Sequence, residues 1–86
     1  MNKADFRQFY RDAHAVTCLT EQEKMLIGLA VTMMRLCDPC VERHLADARK
    51  AGMTEEELDA AVDVIAAVDA GVLQSLNQRI KQRNAK

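Results

Sequence analysis

Residues Met25 to Gly52 read MLIGLAVTMMRLCDPCVERHLADARKAG. From Met25 to Leu36, nine of the twelve residues are apolar. The exceptions, Gly28, Thr32 and Arg35, are spaced four and three apart, which places them on one narrow face of a helix. A helix apolar on nearly every other side belongs in the centre of a bundle, and in so short a chain that centre is the interior of an oligomer. After Cys37 the pattern restarts. Asp38 is a good N-cap, Pro39 suits the first helical position, and the helix they open is expected to run through His44, Leu45 and Ala48. Gly52 is expected to end it as the C′ residue.

Working outward, Thr20 followed by Glu23 forms a capping box, so the apolar helix is expected over Glu21 to Leu36. Before it, residues 15–20 form a break. Phe6, Phe9, Tyr10 and Ala13 recur at i, i+3, i+4 and i+7 and predict a helix over residues 3–14. After Gly52, Thr54 and Glu57 make a second capping box. The helix behind it carries Leu58, Ala61, Val62, Ile65, Val72, Leu73, Leu76 and Ile80 on one side. Asp69 interrupts that stripe, either at its margin or as a buried carboxylate that orients His44 or Arg35. Gly71 is expected to kink this helix or to permit a close crossing. No segment alternates with a strand's period of two. The fold class is therefore all-α: one domain over residues 1–86, a small bundle of about four helices completed by oligomerisation.

The chain has 86 residues, of which 49% are hydrophobic, with two Phe, one Tyr and no Trp. Its core must be aliphatic, and so much apolar content in so small a chain points to burial against further copies. Net charge is −1 from 12 basic and 13 acidic residues, which gives neither nucleic acid nor an anionic membrane as a partner. Arg79, Lys81, Arg83 and Lys86 read as a solvated helix end whose cations complement the helix dipole. No apolar signal core follows Met1, and no run approaches the roughly 18 apolar residues that a membrane span needs. A cytoplasmic location is expected. Three cysteines there argue for catalysis or metal binding over a structural disulfide framework.

Cys37-Asp38-Pro39-Cys40, followed four residues later by His44, is where the chemistry concentrates. Unpaired N–H groups and the positive dipole end of a helix N-terminus favour a thiolate. Two intervening residues allow the sulfurs to reach disulfide distance through one tight turn. Cys40 and His44 are one helical turn apart on one face, so the imidazole can accept the thiol proton and return it to a leaving group. Two other readings stay open. Cys37, Cys40 and His44 could bind zinc with Cys18 or His14 as fourth ligand, or the thiols could be inert in a non-catalytic oligomeric module. Cys18, in the break, is expected to be a buried structural residue. His14 is expected to be a solvated residue at the end of the first helix.

The run Met25 to Val31, the Cys37-x-x-Cys40-x-x-x-His44 element and Ala51-Gly52-Met53-Thr54-Glu55-Glu56-Glu57 together resemble the carboxymuconolactone decarboxylase superfamily. Within it, the likeness is to the alkylhydroperoxidase D-like branch and covers roughly residues 20–80. The resemblance implies helical subunits in trimers or hexamers and a thiol pair cycling between dithiol and disulfide. It implies a peroxide-attacking role for Cys40, a resolving role for Cys37 and a proton-relay role for His44. It further implies a small hydroperoxide substrate and a dithiol electron-donor protein, with no cofactor and no metal. Met25 stands where the relay of the branch has a Glu, and Pro39 where it has a second His. A decarboxylase-like activity on the same fold is the alternative within the superfamily, although the decarboxylase branch lacks the Cys pair.

Overall fold

The computed structural model describes residues 2–85, which fold as α1 (Lys3–His14), α2 (Glu21–Met34), α3 (Asp38–Lys50) and α4 (Glu55–Asn84). The described residues contain no strand, as the sequence pattern predicts. None of these helices is long and apolar enough to cross a membrane. The chain divides into two compact units: Met1–Gly52, which carries α1 to α3, and Met53–Lys86, which carries α4.

Side chains set the helix starts. Asn2 Oδ1 accepts the Asp5 amide at 2.9 Å at the head of α1. At α2, Thr20 Oγ1 accepts the Glu23 amide at 3.0 Å and Glu23 Oε1 accepts the Thr20 amide at 2.8 Å, closing the expected box. The Thr20 backbone amide, and after it the Thr20 hydroxyl, hold the Glu23 carboxyl below its ordinary pKa. That contribution to stability is present above the ordinary carboxylate pKa and is lost as pH falls through the lowered one. At α4 the same box joins Thr54 and Glu57, at 3.1 and 2.9 Å.

α2 and α3 pack against each other, with Leu29 and Ala48 fully buried. Gln22 Nε2 donates to the Ala51 carbonyl at 3.1 Å and ties the end of α3 to the start of α2. The expectation that α2 is interior all round is corrected for the single subunit. Ile27, Val31 and Met34 are 54%, 55% and 52% exposed, because one neighbouring helix covers one face and not three. Phe6, Phe9 and Tyr10 on α1 are also exposed.

α2 stops at Met34, two residues short of the expected Leu36. Leu36 has φ 55°, a left-handed conformation that breaks the helical run. The Leu36 amide donates to the Met33 carbonyl at 3.0 Å and the Cys37 amide to the Thr32 carbonyl at 3.2 Å. This paired pattern is a Schellman motif with leucine in the place glycine usually takes. α3 ends as expected, with Ala51 as C-cap and Gly52 at φ 92°. In the second unit α4 runs unbroken for 30 residues through Gly71. A Cβ on Gly71 would meet nothing within 4 Å, and the helix shows no break there. Met53 and Leu58 are buried, while Val72, Leu73, Leu76 and Ile80 are exposed.

Leucine in the left-handed region costs about 1–2 kcal/mol relative to a residue without a Cβ, and glycine gives back part of that gain through unfolded-chain entropy. Leu36→Gly is therefore expected to keep or raise stability by up to about 1 kcal/mol in urea unfolding, whereas the β-branched Leu36→Val lowers it. A loss for Leu36→Gly larger than that for Leu36→Val would contradict this account.

Candidate active site

Cys37 leaves the Schellman turn in an extended conformation, φ −99° and ψ 96°, and becomes the N-cap of α3. The expected cap was Asp38. The assignment moves back by one because Asp38 already has helical backbone, with Pro39 behind it in the first turn. The Cys37 carbonyl accepts the Val41 amide at 2.9 Å, the first bond of the helix. The Cys37 side chain caps no amide, since its sulfur is bonded to Cys40. The two Cα atoms lie 5.3 Å apart, well within disulfide range. Cys40 is the third helical residue, where the N–H groups of the first turn point toward the helix entrance.

His44 lies one turn further along α3, and its ring rests on the backbone of α2 at Gly28. A Cβ placed on Gly28 would stand 2.7 Å from His44 Nδ1 and 3.1 Å from Nε2, with Cε1 closer still. Only glycine leaves room for the imidazole there. Nδ1 is buried and has no hydrogen-bond partner among the described residues. Beneath it Thr32 Oγ1 donates back to the Gly28 carbonyl at 2.9 Å, keeping that hydroxyl occupied on its own helix.

Cys40 and His44 line a cavity of about 330 Å³ together with Met25 and Thr32 of α2 and with Tyr10 and His14 of α1. His14 is exposed, as expected; its Nδ1–H donates to the Tyr10 carbonyl at 2.9 Å, and its ring stacks on Tyr10 at 4.1 Å between centroids. Lys24, also on the cavity wall, is buried. Its Nζ donates to the His14 carbonyl at 2.6 Å and pairs with Glu21 at 3.0 Å. The expectation for Cys18 is corrected: it is a free, exposed thiol, because residues 11–20 are all exposed and no element covers the break. Among the described residues no three His, Cys, Asp or Glu side chains gather as a metal site. Asp69 is half-buried in α4.

Residues 3–77 match the model of the carboxymuconolactone decarboxylase family. The chain belongs to the carboxymuconolactone decarboxylase family. A crystal structure of a protein from Methanobacterium thermoautotrophicum, solved in a structural genomics programme, is similar at 36% identity and a TM-score of 0.81. That likeness covers 90% of this chain and 88% of the other. An uncharacterized protein encoded in the cox locus of Paracoccus denitrificans is 38% identical over 53 residues, which is 62% of this chain. The match spans only 48% of that relative, about half its length.

Sequence reasoning singled out Cys37, Cys40 and His44, which the structure places at and after the start of α3, and missed Gly28 and Lys24 beside them. Gly28 was visible only as a gap in an apolar run. Lys24 carried no signal, since nothing in its neighbourhood announces that its ammonium reaches a carbonyl ten residues earlier.

Gly28 also provides a test of sign. In a helix interior, Gly→Ala ordinarily stabilises by about 1 kcal/mol. Here the added methyl must push His44 away, so Gly28→Ala is expected to lower stability and to shift the His44 ring resonances in NMR. A variant that is more stable, with unmoved His44 resonances, would show that the ring does not rest on this backbone.

Proposed function

We propose that this chain is a thiol-dependent disulfide oxidoreductase that reduces hydroperoxides, with Cys40 as nucleophile, Cys37 as resolving thiol and His44 as proton carrier. The observation that supports it most is the Cys37–Cys40 pair at the N-terminus of α3, with Cys40 and His44 opening on one cavity. In this reading His44 takes the Cys40 proton and the thiolate attacks the terminal peroxide oxygen. The O–O bond breaks, Cys40 becomes a sulfenic acid, and the alkoxide leaves as alcohol with the proton from His44. Cys37 then displaces water from the sulfenic acid and the disulfide forms. A dithiol donor returns two electrons and two protons through exchange.

The departures noted in the sequence have structural counterparts. Met25 lines the cavity, and His44 Nδ1 has no carboxylate to orient it. The reading therefore rests on a thiol pair and a single His, without the longer relay. Decarboxylation on this fold would leave the Cys pair without a role.

We also propose that the working form is a homo-oligomer, trimer or larger. The apolar faces left open on α1, α2 and α4 support it: Phe9, Ile27 and Val31, Leu73 and Leu76. Light scattering at micromolar concentration is expected to give at least three subunits, and a clean monomer would refute it.

Reduced protein treated with a hydroperoxide is expected to lose two thiols per peroxide consumed. Peptide mapping should place the new bond between Cys37 and Cys40 and leave Cys18 free. Cys40→Ser should abolish peroxide consumption. His44→Gln should slow alkylation of Cys40 near neutral pH about tenfold, equivalent to one pKa unit of lost thiolate, and move its pH profile upward. Alkylation at the wild-type rate at every pH would make His44 a packing residue.

A further inference from the structure

A second cavity, of about 310 Å³, adjoins the one at Cys40 and shares Tyr10 and Arg43 with it. Its remaining walls are Phe6, Arg7 and Arg11 of α1. Three guanidinium groups thus border one space, and none of the residues lining it is acidic. Arg7 and Arg11 sit one turn apart on α1, and Arg43 comes from α3.

The surroundings do little to neutralise them. Arg11 Nη2 donates to the uncharged Gln8 Oε1 at 3.1 Å. Arg43 Nε makes only a long ion pair with Asp47 Oδ2, at 4.0 Å, from the wall of the first cavity, and its own side chain is 81% exposed. Like charges gathered in this way repel unless an anion joins them. The chain as a whole carries −1, so this is a local concentration of positive charge and not a general basic surface. Phe6 and Tyr10, with ring centroids 6.0 Å apart, supply apolar walls. Planar guanidinium groups suit carboxylate and phosphate oxygens, which they can bind in pairs.

We propose that the Arg7, Arg11 and Arg43 pocket binds the anionic group, a carboxylate or phosphate, of the small molecule whose thiol or peroxide end reacts at Cys37 and Cys40. This rests on the redox reading given above and adds the substrate class to it. The shared residues Tyr10 and Arg43 make the two cavities neighbours, so one molecule can place its charge in the second and its reactive end in the first.

Two thiols that differ only in charge test it. The oxidised protein is treated with 3-mercaptopropionate or with its neutral amide. In each case two thiols become one disulfide, and their two electrons and two protons convert the Cys37–Cys40 bond to two thiols. The ratio of the two rates cancels the protein's intrinsic reactivity. Comparing that ratio between wild type and Arg7→Gln/Arg11→Gln/Arg43→Gln cancels the difference between the reagents. The preference for the anion is expected to fall about tenfold in the variant at low ionic strength, and to shrink in wild type as salt is raised. An unchanged ratio would overturn the anion site while leaving the redox reading intact. A variant whose oligomer dissociates would overturn it too, by giving the arginines to a subunit contact. In parallel, succinate and inorganic phosphate are titrated into oxidised wild type while the arginine Nε–H resonances are followed in NMR. Saturable shifts of Arg7, Arg11 and Arg43 are expected, and the stronger ligand tells carboxylate from phosphate. If those shifts occur but neither thiol reduces the disulfide, the pocket stands and the redox reading falls.

Discussion

The close approach of α3 to the bare backbone of α2 at Gly28 is the constraint on which the site depends. It allows the imidazole of His44 to occupy the space a side chain would take, and so sets how near the two helices come. Leu29 and Ala48 fill the core beside it, one large and one small, as a tight crossing requires. The Cys37 amide bonds back to Thr32 on α2, so the cysteine pair is held to the helix that also seats His44. A chain with alanine at position 28 would have to choose between the helix crossing and the position of the ring.

What could be read from the sequence was whatever the chain settles within about four residues. Both capping boxes, the start and end of α1 and the glycine that closes α3 involve groups that find each other locally, and each lies where the pattern put it. The Cys37–Cys40 pairing belongs to the same class. The end of α2 was not legible, since leucine has no preference for the left-handed region and its placement there is imposed by the turn. The N-cap moved from Asp38 to Cys37 because Asp38 itself takes helical backbone, with Pro39 after it in the first turn. The seat of His44 on Gly28 joins residues sixteen positions apart on different helices, and no local rule reports such a contact.

Two further expectations show what periodicity measures. The pattern of α2 states what the helix would bury, and not which surface supplies the cover; among the described residues α3 covers one face, while Ile27, Val31 and Met34 stay exposed. Cysteine's general habit of burial misled in the opposite direction at Cys18, where exposure is decided by the bare segment around it. Composition and periodicity describe the demand for burial, and tertiary packing decides where that demand is met.

The buried ammonium of Lys24 bears on how the cavity wall is held. Phe6 and Phe9 of α1 stay exposed, so this helix gains little from the hydrophobic effect, while Lys24 bonds the carbonyl of His14 at its last turn. A charged hydrogen bond of this kind contributes on the order of 1.5–3 kcal/mol, far less than a packed apolar face. In a hierarchy of local unfolding, α1 is then the segment of the first unit whose opening costs least, and its amides are the ones to exchange with solvent before those of α2 and α3. Tyr10 and His14 travel with it, so the wall facing Cys40 opens before the helix that carries Cys40 itself.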